Sequence, residues 1–183
     1  DNETSQNDTI TAGTLDLQVG ATDTCTEAID IVSLLQPGDS GNAADWTVAN
    51  LGSISGTLEI AVSAITNYEN TRTEPEQAAG DTTTGDNEGE LGDFVEIAFW
   101  LDVNRSNVWD SGDRYLSANG TVVNWESGSS LPSEAFTDIN SYAGIDWEAA
   151  DGMPAMTGPG ALDFMVNYQF PGDANDDRAQ GDS

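Results

Sequence analysis

The chain has 183 residues, 33 acidic and four basic, giving a formal net charge of −29, and it contains no histidine. The four cations are Arg72, Arg105, Arg114 and Arg178, with no lysine, so the clustered positive charge that nucleic acid or an anionic membrane surface would call for is missing, and with no apolar run near the ~18 residues of a span no membrane insertion is expected. Without histidine the usual zinc ligand, the usual general base and any Ser/His/Asp or Cys/His arrangement are gone, and the composition argues against an enzyme.

Taken in chain order, residues 1–13 are polar, with Ile10 the only large apolar side chain among the first dozen. Residues 14–183 read as one domain, a length that buries a sizeable core. Apolar residues then alternate with polar ones in short windows, the sign of strands with one buried face. Leu15, Leu17 and Val19 open the series; Ile29 and Ile31, Trp46 and Val48, and Leu58, Ile60 and Val62 follow. From Glu74 to Asp93 no aliphatic side chain occurs before Leu91, and the stretch reads as a long solvated acidic loop inserted between strands.

The strongest predicted strand is Phe94–Val103, with Val95, Ile97, Phe99, Leu101 and Val103 on one face and Phe94 and Trp100 on the other. Such a strand is covered on both sides. Val122 to Trp125 form a shorter strand, the region 133–150 offers a short helical turn, and Leu162, Phe164, Val166, Tyr168 and Phe170 mark a clear late strand. The fold class that follows is all-β, a two-sheet β-sandwich with long acidic loops.

TAGTLDLQV at 11–19, PGDSG at 37–41 and WTVANLGSISGTLEI at 46–60, in that order and spacing, resemble the TasA/camelysin family of secreted fibre-forming proteins. The opening DNETSQNDTITAGTLDL resembles the mature start of such chains, and the closing GDANDDRAQGDS resembles the loop before the family's last strand. The resemblance implies a jelly-roll-like sandwich secreted through a signal peptide absent from this chain. It implies an extracellular filament or pilus at the cell surface, with identical subunits as partners and roles in biofilm matrix and attachment. It also implies a final apolar strand, absent from this chain or supplied by another subunit. Residues 1–13 are the expected donor segment, with Thr9, Ile10, Thr11 and Ala12 entering the neighbour. Strand addition of this kind is heterologous and open-ended, so it builds a filament.

At molar salt the screening length falls to about 3 Å, so the acidic composition suits a hypersaline habitat such as that of haloarchaea, where cations matter to folding. A solubilising surface on an ordinary secreted protein is the alternative. Cys25 is the only cysteine. It forms no intramolecular disulfide and reads as a small buried apolar residue, with a bridge between subunits as the other option.

Asp102, Asn104, Ser106, the carbonyl of Val108, Asp110 and Asp113 occupy positions 1, 3, 5, 7, 9 and 12 of a twelve-residue loop, the spacing with which a calcium loop gathers oxygens. Asn107 stands where glycine makes the sharp turn, and Asp113 replaces the usual glutamate. Calcium is the expected structural cofactor, against the alternative of a solvated acidic hairpin. Asp173, Asn175 and Asp177 repeat the opening of the pattern as a possible second metal loop. Asn2, Asn7, Asn104 and Asn119 lie in Asn-x-Ser/Thr sequons, candidate N-glycan sites.

Two functions compete with the fibre subunit. The camelysin name suggests a metallopeptidase, but a chain without histidine has no HExxH. A monomeric calcium-stabilised surface module, with carbohydrate as one ligand class, would use Trp125 or Trp147 as stacking platforms.

Overall fold

The structure is a computed structural model that describes residues 13–20, 35–85 and 87–171. The chain is all-β, as the alternation requires. Its strands are β1 (Leu17–Val19), β2 (Ser40–Asn50), β3 (Gly56–Thr57), β4 (Ile60–Ala61), β5 (Glu96–Asp102), β6 (Arg114–Leu116), β7 (Val122–Asn124), β8 (Thr137–Asp138), β9 (Asp146–Trp147), β10 (Ala155–Met156) and β11 (Gly160–Gln169). Seven of them form one antiparallel sheet in the order β1-β2-β11-β5-β6-β7, with β8 also pairing β5. Two ribbons, β3 with β10 and β4 with β9, make up the rest.

The two most regularly patterned segments sit at the centre. β11 pairs β2 on one side and β5 on the other, so both of its edges are hydrogen-bonded and both faces are available for packing. Register then stacks like with like. Trp46, Phe164 and Leu101 lie side by side across three strands, as do Val166, Phe99 and Leu116. These side chains belong to the main core, with Tyr142, Trp147, Met153 and Met156 packed in from the connections and ribbons. The register shift at Val166/Asn167 gives β2 one extra residue, and that bulge lets both Ala43 and Ala44 face the core. The opposite face carries a smaller cluster of Trp100, Trp109 and Met165, which explains why β5 is apolar on both sides.

The structure corrects two expectations. Residues 74–93 are not simply a solvated acidic loop: they contain α1 (Glu74–Ala79) and α2 (Leu91–Phe94), and Leu91 and Phe94 pack against the main core. The Leu58–Val62 run does not form one strand: only Ile60–Ala61 within it is a strand, paired with β9, and the preceding Gly56–Thr57 pairs with β10 instead. The helical turn expected within 133–150 is present as short 3-10 turns at Ser133–Ala135, Ile139–Tyr142 and Ala149–Asp151. Ile29, Ile31 and Cys25 lie outside the described residues.

Candidate functional site

Two features stand out, the oxygen-rich loop between β5 and β6 and the sheet edge formed by β1. Asp102 ends β5 and Asp113 precedes β6, and both side chains are fully buried. The carboxylate of Asp102 accepts the backbone N–H groups of Ser106 at 3.0 Å and Asn107 at 2.6 Å. That of Asp113 accepts those of Val103 at 3.0 Å and Asp110 at 2.8 Å. Each carboxylate therefore ties one side of the loop to the other, as an Asx-type contact does in a turn. Burial holds the Asp113 carboxyl above the ordinary carboxylate range, and the charges of Asp102 and Asp110 push the same way, against the two N–H groups that lower it.

The remaining loop positions form a second knot. Asn104 donates to Asp110 Oδ1 at 2.7 Å, and the Ser106 hydroxyl lies 3.1 Å from Asp110 Oδ2 and 3.0 Å from the Val108 carbonyl. Asn107 takes a left-handed conformation with φ +60°, as its place in the loop predicts, and Arg105 does so too at +61°. Trp109 anchors the loop by packing edge-on against Trp100, ring centroids 5.8 Å apart. Among the described residues no three acidic side chains are already converged on one point as metal ligands. The loop brings the six predicted positions into one hydrogen-bonded network.

Arg105 is the contact that the sequence does not reveal. Register sets Asp163 of β11 directly opposite Asp102, an unfavourable pairing of like charges. The left-handed turn carries Arg105 back over the sheet, where its Nε lies 3.1 Å from Asp163 Oδ1 and its Nη2 donates to the Thr47 hydroxyl at 3.0 Å. Asp163 is buried while Arg105 is half exposed. Arg105→Ala should therefore lower stability by about 1–2 kcal/mol, the range for a hydrogen bond to a charged group discounted for exposure. Urea denaturation at fixed salt measures it, and an unchanged midpoint would show that Thr47 alone suffices for Asp163.

The sheet edge is built differently. Asp16 and Thr14 accept N–H groups from Leu51, Ser53 and Ile54, and Gly20 donates to Thr47, so the even-numbered residues of this segment face β2. The backbone groups of Leu15, Leu17 and Val19 point the other way, and no described strand pairs with that edge. Buried Asn50 accepts the Gly52 N–H and donates to the Ile54 carbonyl, which fixes the turn beside it. Leu15 and Leu17 share the face of Val19, which packs on the core, yet they are 60% and 48% exposed. Leu51 and Ile54 are exposed next to them. Four of the six exposed large apolar residues among those described thus lie on the β1 segment and on the turn after β2 that it bonds.

With this geometry in place, comparison with known proteins adds nothing to it. No protein-family model, no curated protein and no solved structure matches the chain.

The other predicted residues divide simply. Asn119 is exposed on the turn between β6 and β7, its side-chain oxygen accepting from the Thr121 N–H and hydroxyl. Asn104 is exposed but its amide is engaged by Asp110. Thr9, Ile10, Thr11, Ala12, Asn2, Asn7, Asp173, Asn175 and Asp177 lie outside the described residues. Trp147 is no platform: it is fully buried against Phe99 and Tyr142, with Nε1 donating to the Ser117 carbonyl at 3.0 Å. Trp125 is half-buried and donates to the Gly128 carbonyl. Among the described residues no helix is long and apolar enough to cross a membrane.

Proposed function

We propose that this chain is a structural subunit of an extracellular filament of a salt-loving microbe, joined head to tail by strand addition and serving attachment and biofilm matrix. The observation that carries the reading is the edge at β1, where exposed leucines stand beside a row of backbone groups that no described strand pairs. An extended peptide laid along such an edge satisfies the backbone and covers the leucines in one step. Contiguous exposed apolar surface on a soluble domain marks an interaction site. The likeness of residues 11–19, 37–41 and 46–60 to TasA/camelysin chains supports the same assignment and names the donor, residues 1–13. In this reading calcium holds the 102–113 loop as a structural ion, and glycans, where present, sit at Asn119 first. No enzymatic step is part of it.

Electron microscopy at molar salt tests it, comparing the full chain with one lacking residues 1–13. Filaments from the full chain and monomers from the shortened one are the expected result. Filaments from both would move the donor role to another segment, and monomers from both, with calcium present, would overturn the reading. In that event the monomeric binding module leads. What favours it is an open cleft of about 470 Å³ beside Trp109, lined also by Asn107, Leu131, Tyr168 and Gln169.

A further inference from the structure

The acidic insertion conceals a set of carboxylates that the filament reading does not use. Glu76 and Asp81, in a segment whose composition predicts full solvation, are 0% and 7% exposed, and Glu69 just before it is 3% exposed. The chain brings them together by close backbone approach: a Cβ on Gly89 would come within 2.9 Å of the Tyr68 backbone, so glycine there lets Glu90 lie beside Glu69. The Thr83 hydroxyl is the hub, 2.6 Å from Asp81 Oδ1, 3.2 Å from Glu69 Oε2 and 3.4 Å from Glu90 Oε1. A hydroxyl has one proton, so it serves one of these three oxygens at a time.

A second observation points to a ligand. Asp81 Oδ2, on the carboxylate nearest the hub, is buried and meets no hydrogen-bond donor, and Glu76 Oε1 on the adjoining helix is in the same state. The Asp81 N–H is bonded to the Glu76 carbonyl at 3.0 Å, which joins the two segments. Arg72 donates to the Asp81 carbonyl at 3.4 Å and its charge acts on the Asp81 carboxylate from further off, but among the described residues no ion pair closes on Asp81 or Glu76. A buried carboxylate oxygen without a donor, such as these on Asp81 and Glu76, calls for a cation or a proton.

We propose that Glu69, Asp81 and Glu90, with the Thr83 hydroxyl, bind a divalent calcium-type cation at a site separate from the 102–113 loop, with Glu76 as the nearest additional carboxylate, and that this ion fastens the 74–93 insertion to the sheet. Calcium fits better than magnesium because it accepts an irregular shell of carboxylate and hydroxyl oxygens, whereas magnesium demands near-octahedral geometry and keeps its waters. The side chains stand around Thr83 rather than converged on one point, so binding draws them inward. The inference does not depend on the filament reading.

The test uses the full chain, freed of metal by chelator and held at molar salt. Calcium titration by calorimetry gives the stoichiometry, and limited proteolysis within 74–93 gives the local effect. At calcium a hundred times its dissociation constant, cleavage should slow about 100-fold, because the ion binds only the closed form. The isosteric pair Asp81→Asn with Glu90→Gln should abolish that protection and lower the stoichiometry by one ion, whereas Asp110→Ala in the other loop should leave the protection intact. Should the pair not fold, Glu90→Gln alone, at a partly exposed position, serves the same purpose. Unchanged stoichiometry and protection in the variant would overturn the proposal. So would protection that grows on acidification and ignores calcium, since protons would then hold the cluster.

Discussion

Trp147→Ala should destabilise the fold by about 3–5 kcal/mol, the range for deleting a large buried aromatic side chain. The indole is fully buried and packs edge-on to Phe99 at 6.2 Å and against Tyr142 at 6.1 Å. Its loss opens a cavity in the layer that covers the sheet and removes the donor to the Ser117 carbonyl. It also frees the short β4–β9 ribbon, in which Trp147 stands opposite Ile60. Since a domain of this kind is stable by only about 5–15 kcal/mol, the variant should unfold at a markedly lower urea concentration. The measurement needs calcium and salt held constant, because both shift apparent stability by mass action and screening. Trp125→Ala, at a half-exposed position, is the control and should lose far less. Equal effects from the two would contradict the burial of Trp147 and restore it as a surface platform.

The contrast between these tryptophans shows where sequence reading ends. β5 and β11 are legible because long runs with large apolar residues at every second position admit one arrangement of core faces, and the pairing of Trp46 with Phe164 and of Phe99 with Val166 follows once those faces meet. Trp147 sits in a two-residue strand, too short for any period to reveal its side. That the oxygen-bearing positions of 102–113 meet in one hydrogen-bonded loop is legible because they lie within twelve residues; the Arg105–Asp163 contact is not, since it depends on register across 58 residues. Composition fails at 74–93 because burial there does not follow aliphatic content: Glu76 and Asp81 are buried. A local signal was present: Thr73 followed by Pro75 and Glu76 is a capping-box pattern, and α1 does start there, with Glu76 reaching back to the Thr73 N–H.

Asp113 is where the loop reading makes its sharpest claim, because the residue has a structural task with or without an ion. Both of its oxygens accept backbone N–H groups, from Val103 and from Asp110, inside a fully buried site. Asp113→Asn keeps one acceptor and turns an NH2 group toward a backbone N–H, so one buried donor loses its partner, a penalty of about 1–3 kcal/mol. Part of that is returned, because the uncharged side chain no longer repels Asp102 and Asp110. In calcium-free protein the variant should therefore be only modestly weaker than the parent. Calcium should widen the gap: at a hundred times the dissociation constant the parent gains about 2.7 kcal/mol, while the variant, missing a charged ligand at the twelfth position, gains little. Thermal unfolding with and without chelator separates the two contributions. A gap that stays constant across the calcium titration would show that Asp113 serves the loop as a backbone tie alone, and that any calcium the protein takes up resides elsewhere.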